Sequence, residues 1–295
     1  MNFNDLAQSF KRYALHEKEL TPKTTKAIIK AAEKLDEFTA DKSLTKLDTP
    51  VIREYLLNRR EDRLWSPKTF RNERQYLKTF FDWLLREGIV KSNPVEKIEK
   101  PKLPKRLPRF ITKDQSLTIL AHTEYYNWRY RFERVRNVAI IAVFLMTGIR
   151  LNELINLRVQ DVDLDTQEIF VHEGKGKKDR IVPIYPKLQS ILSNYNRERK
   201  HLTRQSQWFF HSARSDKRMT PKTVHQMCKK VSYESGIKFT PHMLRHTFGR
   251  LSLDGGLGMY QLKELMGHSN ISTTEIYASV SKEGLKRSFY NTQLF

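Results

Sequence analysis

Arginine and histidine recur in this chain at spacings that suit chemistry on a phosphate. In PHMLRHTF, His242 and Arg245 stand three residues apart in a segment of helical period. An imidazole and a planar guanidinium then share one face and present fixed donors to anionic oxygens. TGIRLNEL places Arg150 where a glycine breaks one helix and a second begins, with Glu153 three residues on. LMGHSNISTTEIYA sets His268 nine residues before Tyr277. The EGKGKKD loop carries Lys175, Lys177 and Lys178, with Gly174 and Gly176 to let the chain turn, so these lysines are free to reach a phosphate backbone. Other chemistries fail on spacing. His242 and His246 are four apart, as helical zinc ligands are, but HMLRH lacks a glutamate base and sets Arg245 where it would repel a dication. GKGKK lacks the G-x-x-x-x-G-K-[ST] pattern of a nucleotide loop. Cys228 is the only cysteine, which excludes an internal disulfide, and its helical neighbourhood marks it as a core filler.

Holding such side chains takes helices, and helix starts are marked throughout. Thr21, Thr49, Ser66, Thr220 and Thr240 each stand directly before a proline, offering an N-cap hydroxyl and a ring that presets φ in the first turn. Past Thr21, Ile28, Ala31, Leu35 and Phe38 step by three and four; past Ser66, Phe70, Leu77, Phe81 and Leu84 do the same. With Phe3 to Leu15 and Val51 to Leu57 they predict four helices before residue 90, enough to close a bundle. From 99 to 108, Pro101, Pro104 and Pro108 lie among basic residues with no regular period, which predicts an extended linker. The expected domains are therefore 1–98 and 109–295, joined by 99–108. In the second, Val135 to Met146 predicts a buried helix and Leu151 to Leu157 another, followed by a hairpin of Glu168 to Val171 and Arg180 to Ile184 around the EGKGKKD loop. Helices are predicted over Leu188 to Tyr195, Pro221 to Ser235, Pro241 to Leu253, Tyr260 to Met266, Thr273 to Ala278 and Glu283 to Tyr290. The fold class is mainly α with a small β-hairpin or sheet.

Charge limits the partners. The 295 residues carry 54 Lys and Arg against 33 Asp and Glu, a net charge of +21. That excess points to a polyanion, nucleic acid before an anionic membrane surface. The longest apolar run, Val138 to Ile149, is short of the roughly 20 residues that span a bilayer. The opening MNFNDLAQSFKRY lacks an export signal, so a cytoplasmic protein at the nucleoid is expected, with no membrane partner. Lys23, Lys26 and Lys30 on one helix, and Arg71, Arg74 and Lys78 on another, are candidate DNA-binding stripes.

The motifs gain weight from their order. TGIR-x-x-EL, the GKG hairpin, H-x-x-R-H-T-F, and LMGH followed by T-x-x-Y resemble those of the tyrosine recombinases of the phage integrase family, most closely its short Xer-type members. The N-terminal half resembles that family's SAM-like helical core-binding domain, including FFDWLLREGIVKSNPVEKIEKPK. Spanning nearly the whole chain, the resemblance implies a two-domain DNA clamp. By position it implies that Arg150, Lys175, His242, Arg245 and His268 form a catalytic pocket, that Tyr277 is the nucleophile and that Glu153 supports the first arginine. One departure is YYNWRYRFERVR, residues 125–136, which is longer than usual ahead of the apolar helix and whose role the sequence leaves open. With helices beginning at Phe3, no arm-binding domain is expected, so a Xer-like or mobile-element recombinase fits. Between chromosome-dimer resolution and integration or excision the sequence does not decide.

Elementary chemistry accounts for the implied reaction. A phosphodiester is anionic and its transition state gathers more charge on the nonbridging oxygens. Arg150 and Arg245 can clamp those oxygens, each preorganised donor being worth on the order of 3 kcal/mol. Tyr277 would attack phosphorus, leaving a 3′-phosphotyrosine and a free 5′-hydroxyl. A phenol with a pKa of about 10 needs a base, for which His242 is the candidate, while Lys175 would protonate the leaving oxygen and His268 would add a donor or handle a proton. The phosphotyrosine keeps the phosphoester bond energy, so religation needs no ATP, and neither metal nor other cofactor is expected. The implied partners are a double-stranded DNA recombination site and further copies of the chain. These would form a tetrameric synapse held through the C-terminal helix at 283–290. The need for a second recombinase or an activator stays open. Two alternatives share the residues: a type IB topoisomerase, and an inactive architectural DNA-binding protein.

Overall fold

The computed structural model describes residues 2–40, 44–62, 65–103, 108–172, 179–202, 205–268, 270 and 273–275. Lys175, Lys177, Lys178, Tyr277 and the 283–290 segment lie outside them. Contacts divide the chain into two compact units, 1–106 and 107–295.

In the first unit, α1 (Phe3–Arg12) runs into a π-helical turn at Tyr13–Glu17, followed by α2 (Pro22–Phe38), α3 (Thr49–Asp62) and α4 (Pro67–Arg86). The Thr21 and Ser66 hydroxyls cap α2 and α4, each accepting from the backbone N–H three residues on at 3.2 Å. At α3 the expected Thr49 cap is replaced. Asp48 Oδ1 accepts from the Val51 N–H at 3.1 Å, which frees the Thr49 hydroxyl to donate to the Pro94 carbonyl at 2.8 Å. Phe10, Leu35, Ile52, Tyr55, Leu77, Phe80 and Phe81 close the core, as the helical period requires. Arg74, expected on an exposed stripe, is only 3% exposed. Its guanidinium donates to the carbonyls of Val95, Glu96 and Ile98, so it fastens the segment after α4 instead of facing solvent. The expected stripe therefore loses its middle member: in α4 a residue beside Leu77 and Phe70 turns towards the core whatever its charge.

The second unit contains α5 (Lys113–Tyr125), α6 (Arg131–Thr147), α7 (Leu151–Asn156), β1 (Val162–Asp163), β2 (Glu168–Val171), β3 (Arg180–Pro183), α8 (Pro186–Lys200), α9 (Pro221–Ser235), α10 (Pro241–Asp254) and α11 (Met259–Met266). Helix α6 is central, packed by α5, α8 and α10, and the run from Ala139 to Leu145 is buried throughout. Helix α5 has no counterpart in the apolar period. Its buried face includes Ser116 and Thr123, whose hydroxyls donate to the Thr112 and Ile119 carbonyls one turn back at 2.8 and 2.7 Å, while Leu117 points outward. The strands form an antiparallel sheet in the order β1-β2-β3, with Ile169 opposite Val182 and Val171 opposite Arg180. Ile169, Val171 and Val182 face the core, whereas Phe170 and Ile181 face outward. The aromatic and basic run at 125–136 forms the end of α5, a turn and the start of α6; there Tyr126 and Trp128 pack at 4.4 Å and Trp128 Nε1 donates to the Thr123 carbonyl at 2.7 Å. No described helix is long and apolar enough to cross a membrane.

Candidate active site

Two helix ends build the site. Helix α6 stops at Gly148, which adopts φ 61°, and a Cβ there would overlap the Phe248 ring. Only glycine meets both conditions, so the chain turns sharply and delivers Arg150 at the start of α7. The Arg150 backbone N–H donates to Glu153 Oε2 at 2.8 Å, and its Nη1 donates to Oε1 at 2.7 Å. Helix α11 stops at Gly267, φ 62°, where the N–H groups of Gly267 and His268 cap the Glu264 and Lys263 carbonyls. The next three carbonyls have no helical donor left to them. Each takes a different guanidinium: Leu265 from Arg180 Nε at 2.8 Å, Met266 from Arg245 Nη2 at 2.8 Å, and Gly267 from Arg150 Nη2 at 2.6 Å. The negative end of the helix dipole thus gathers three cations.

Arg245 is the most enclosed of the three, 4% exposed, and also donates from Nη1 to the Gly148 carbonyl, which ties both helix ends together. Its Nη2 lies 2.9 Å from His268 Nε2. A guanidinium only donates, so Nε2 accepts, and the imidazole proton sits on Nδ1, 2.9 Å from the hydroxyl of the fully buried Thr274. Burial first, then the charges of Arg245 and Arg150, push the His268 pKa down to about 4, which agrees with this neutral tautomer. His246 is likewise lowered to about 4 by burial, His242 and Arg245. Burial alone would raise the Glu153 carboxyl, but hydrogen bonds and charge from Arg180, then from Arg150, outweigh it and hold it at about 2. Arg150 and Arg180 therefore share one ionised carboxylate while Arg245 stands on the neighbouring Met266 carbonyl, leaving positive charge where an anion can bind.

Of the residues singled out in the sequence, Arg150, Glu153, Arg245 and His268 come together here. His242 is exposed in the first turn of α10, one turn before Arg245, its ring 4.2 Å from that of His246. Lys175, Lys177, Lys178 and Tyr277 lie outside the described residues, beyond two anchored positions, Arg180 and Thr274. Sequence reasoning held Thr274 only as the first residue of T-x-x-Y, without its histidine partner, and missed Arg180 as an anchor. Arg180 read only as the first residue of a strand; the available signal was Glu153, a carboxylate beside an apolar helix that one arginine cannot fully satisfy. Lys23, Lys26 and Lys30 are exposed on α2, Arg71 is half-buried on α4, and Lys78 pairs with Asp82 at 2.9 Å. Among the described residues no group of three or more His, Cys, Asp and Glu could hold a metal ion.

The phage integrase family model matches residues 109–283, and its N-terminal SAM-like domain matches 6–90. The chain belongs to the phage integrase family of tyrosine recombinases. This recombinase is 31% identical to a tyrosine recombinase of Agathobacter rectalis over 95% of its own length and 93% of the relative's. It is 32% identical to tyrosine recombinase XerA of Pyrococcus horikoshii over 75% and 72%. In fold it resembles the crystal structure of the XerH site-specific recombinase bound to palindromic difH substrate in a post-cleavage complex, with a TM-score of 0.76 and 20% identity over 97% of this chain and 84% of that one. The recombinase is of the Xer type and cleaves and rejoins DNA by site-specific recombination.

Proposed function

We propose that the recombinase cuts DNA with Tyr277 as nucleophile and with Arg150 and Arg245 as the phosphate clamp. What carries this reading is the placement of those two guanidiniums on neighbouring carbonyls, Gly267 and Met266, before any substrate arrives. Donors held in advance need no reorganisation as charge builds on the nonbridging oxygens. The Tyr277 hydroxyl attacks phosphorus as the bond to the 5′ oxygen breaks; His242, exposed and one turn from Arg245, takes the phenolic proton, and Lys175 supplies one to the leaving oxygen. His268, an acceptor towards Arg245, orients that guanidinium. Tyr277→Phe should bind its DNA normally yet form no covalent adduct on a nicked suicide substrate. Adduct formation at the wild-type rate would move the nucleophile elsewhere.

The same reading assigns the helical unit, 1–98, as core-binding, 99–108 as linker and 109–295 as catalytic. It makes the exposed α2 lysines, Arg71, Lys177 and Lys178 phosphate contacts, and places the enzyme in the cytoplasm at the nucleoid. Recombination needs two duplexes and four active sites, so the enzyme works as a tetramer. A two-turn helix at 283–290 is marginal alone and docks on the neighbouring protomer through Leu285, Phe289 and Tyr290. Truncation after Ser281 should preserve single-site binding and abolish two-site complexes in native gels; full strand exchange by the truncated protein would remove the tail from the assembly.

A further inference from the structure

Glu153 is 8% exposed and has more to satisfy it than Arg150. Arg180 Nη2 donates to its Oε2 at 2.8 Å and Nη1 to its Oε1 at 3.2 Å, a two-pronged grip, while the Arg150 side chain reaches only Oε1. The third Arg180 donor, Nε, is held by the Leu265 carbonyl. A Cβ on Gly267 would come 2.8 Å from Arg180 Nη1, so the turn and the guanidinium fill each other's space. Arg180 is also the deeper of the two, its side chain 10% exposed against 24% for Arg150. Each arginine thus has a distinct share: all three Arg180 guanidinium nitrogens donate to protein acceptors, and Arg150 keeps an edge open to solvent.

A fork-shaped guanidinium beside a lone carboxylate closes on it with two parallel bonds. If Glu153 had no second cation, Arg150 would be drawn into that closed, neutral pair. We propose that Arg180 is a positioning residue, which takes up the Glu153 carboxylate so that Arg150 keeps its charge and one donor edge for the scissile phosphate. The proposal rests on the recombinase reading, in which Arg150 binds that phosphate, and adds an arginine that never touches the substrate. The groups facing Glu153 are Arg150 at the start of α7 and Arg180 of β3, with Arg245 of α10 beyond them, bonded to His268 just after the Gly267 turn.

The test uses the full chain and a nicked suicide substrate, with adduct rate and DNA affinity measured separately. Arg180→Gln should slow adduct formation by about 10²-fold, the loss of one preorganised donor, with DNA affinity changed less than threefold. Arg180→Lys keeps the charge and should recover most of the rate. The deciding variant is Glu153→Gln with Arg180→Gln: once the carboxylate charge is gone Arg150 is released, and the double variant should outpace Arg180→Gln by threefold or more. A double variant no faster than Arg180→Gln, or a wild-type rate in Arg180→Gln, would overturn the proposal. A readout independent of activity is the Glu153 carboxyl followed by ¹³C NMR, which should titrate at higher pH in Arg180→Gln than in the wild type; an unchanged titration would also overturn it. If wild-type protein forms no adduct, the recombinase reading fails and the carboxyl titration alone decides the role of Arg180.

Discussion

Arg74 of the helical N-terminal unit and Arg245 of the catalytic unit are alike by most measures. They are 3% and 4% exposed, and each donates to backbone carbonyls that the local fold leaves open. Their surroundings separate them. Arg74 spends its donors on Val95, Glu96 and Ile98, within one turn of chain, and acts as a clasp. Arg245 joins two helix ends, shares Nη2 with His268 and has Arg150 on the next carbonyl and the exposed His242 one turn away. A buried arginine on carbonyls is therefore a structural device by default, and only a convergence of further donors at an open face makes it a site.

That contrast can be broken in order of effect. Arg245→Lys removes the fork that reaches Gly148, Met266 and His268 together, and should slow adduct formation by about 10³-fold with DNA affinity largely kept; a rate within tenfold of wild type would make Arg245 another clasp. Arg74→Met should do the opposite. It leaves three carbonyls without their donor and should lower unfolding free energy by about 2–4 kcal/mol in denaturant titration, while the adduct rate of the folded protein stays at the wild-type value. Gly267→Ala forces a side chain into positive φ against Arg180 and should lower stability by about 1–2 kcal/mol, with a rate loss that Gly88→Ala, also at positive φ but in open space, does not share.

The smallest effect is expected from pH near neutrality. In the unfolded chain His246 and His268 take up protons near pH 6.5, whereas in the fold burial and then neighbouring cations delay this to about 4. The unfolded state gains protons first, so stability falls as pH drops from about 6.5 towards 4. Glu153 acts lower, between its ordinary value of 4.5 and about 2, where protonation again favours the unfolded chain. Melting curves across this range should show His268→Gln flattening the upper limb; an unchanged curve would refute the burial of a neutral imidazole.

Local pattern carries much of the fold. The period past Thr21 and Ser66, the apolar run of α6 and the alternation in β2 and β3 are all legible, because burying one face of an element writes its period into the chain. Helix α5 is not, because it buries Ser116 and Thr123 through hydroxyls turned onto their own helix, and an apolar scan reads such positions as solvent-facing. Arg74 misleads for the complementary reason: its charge suggests exposure, while its place on α4 turns it inward.

At the site, the sequence by itself determined the kinds of groups and their local spacing. Arg150 and Glu153 meet because they bracket the first turn of one helix, and His242 and Arg245 share a face because they are three residues apart. Only the tertiary structure decided which of these groups converge and what each is left free to do. Arg150 lies 117 positions from the Gly267 carbonyl it grips, Arg245 lies 97 from Gly148, and Arg180 lies 27 from Glu153. No period relates residues so distant along the chain; their partners are set by how α6, α10, α11 and β3 pack, and by unfilled carbonyls at two helix ends that have to find donors somewhere.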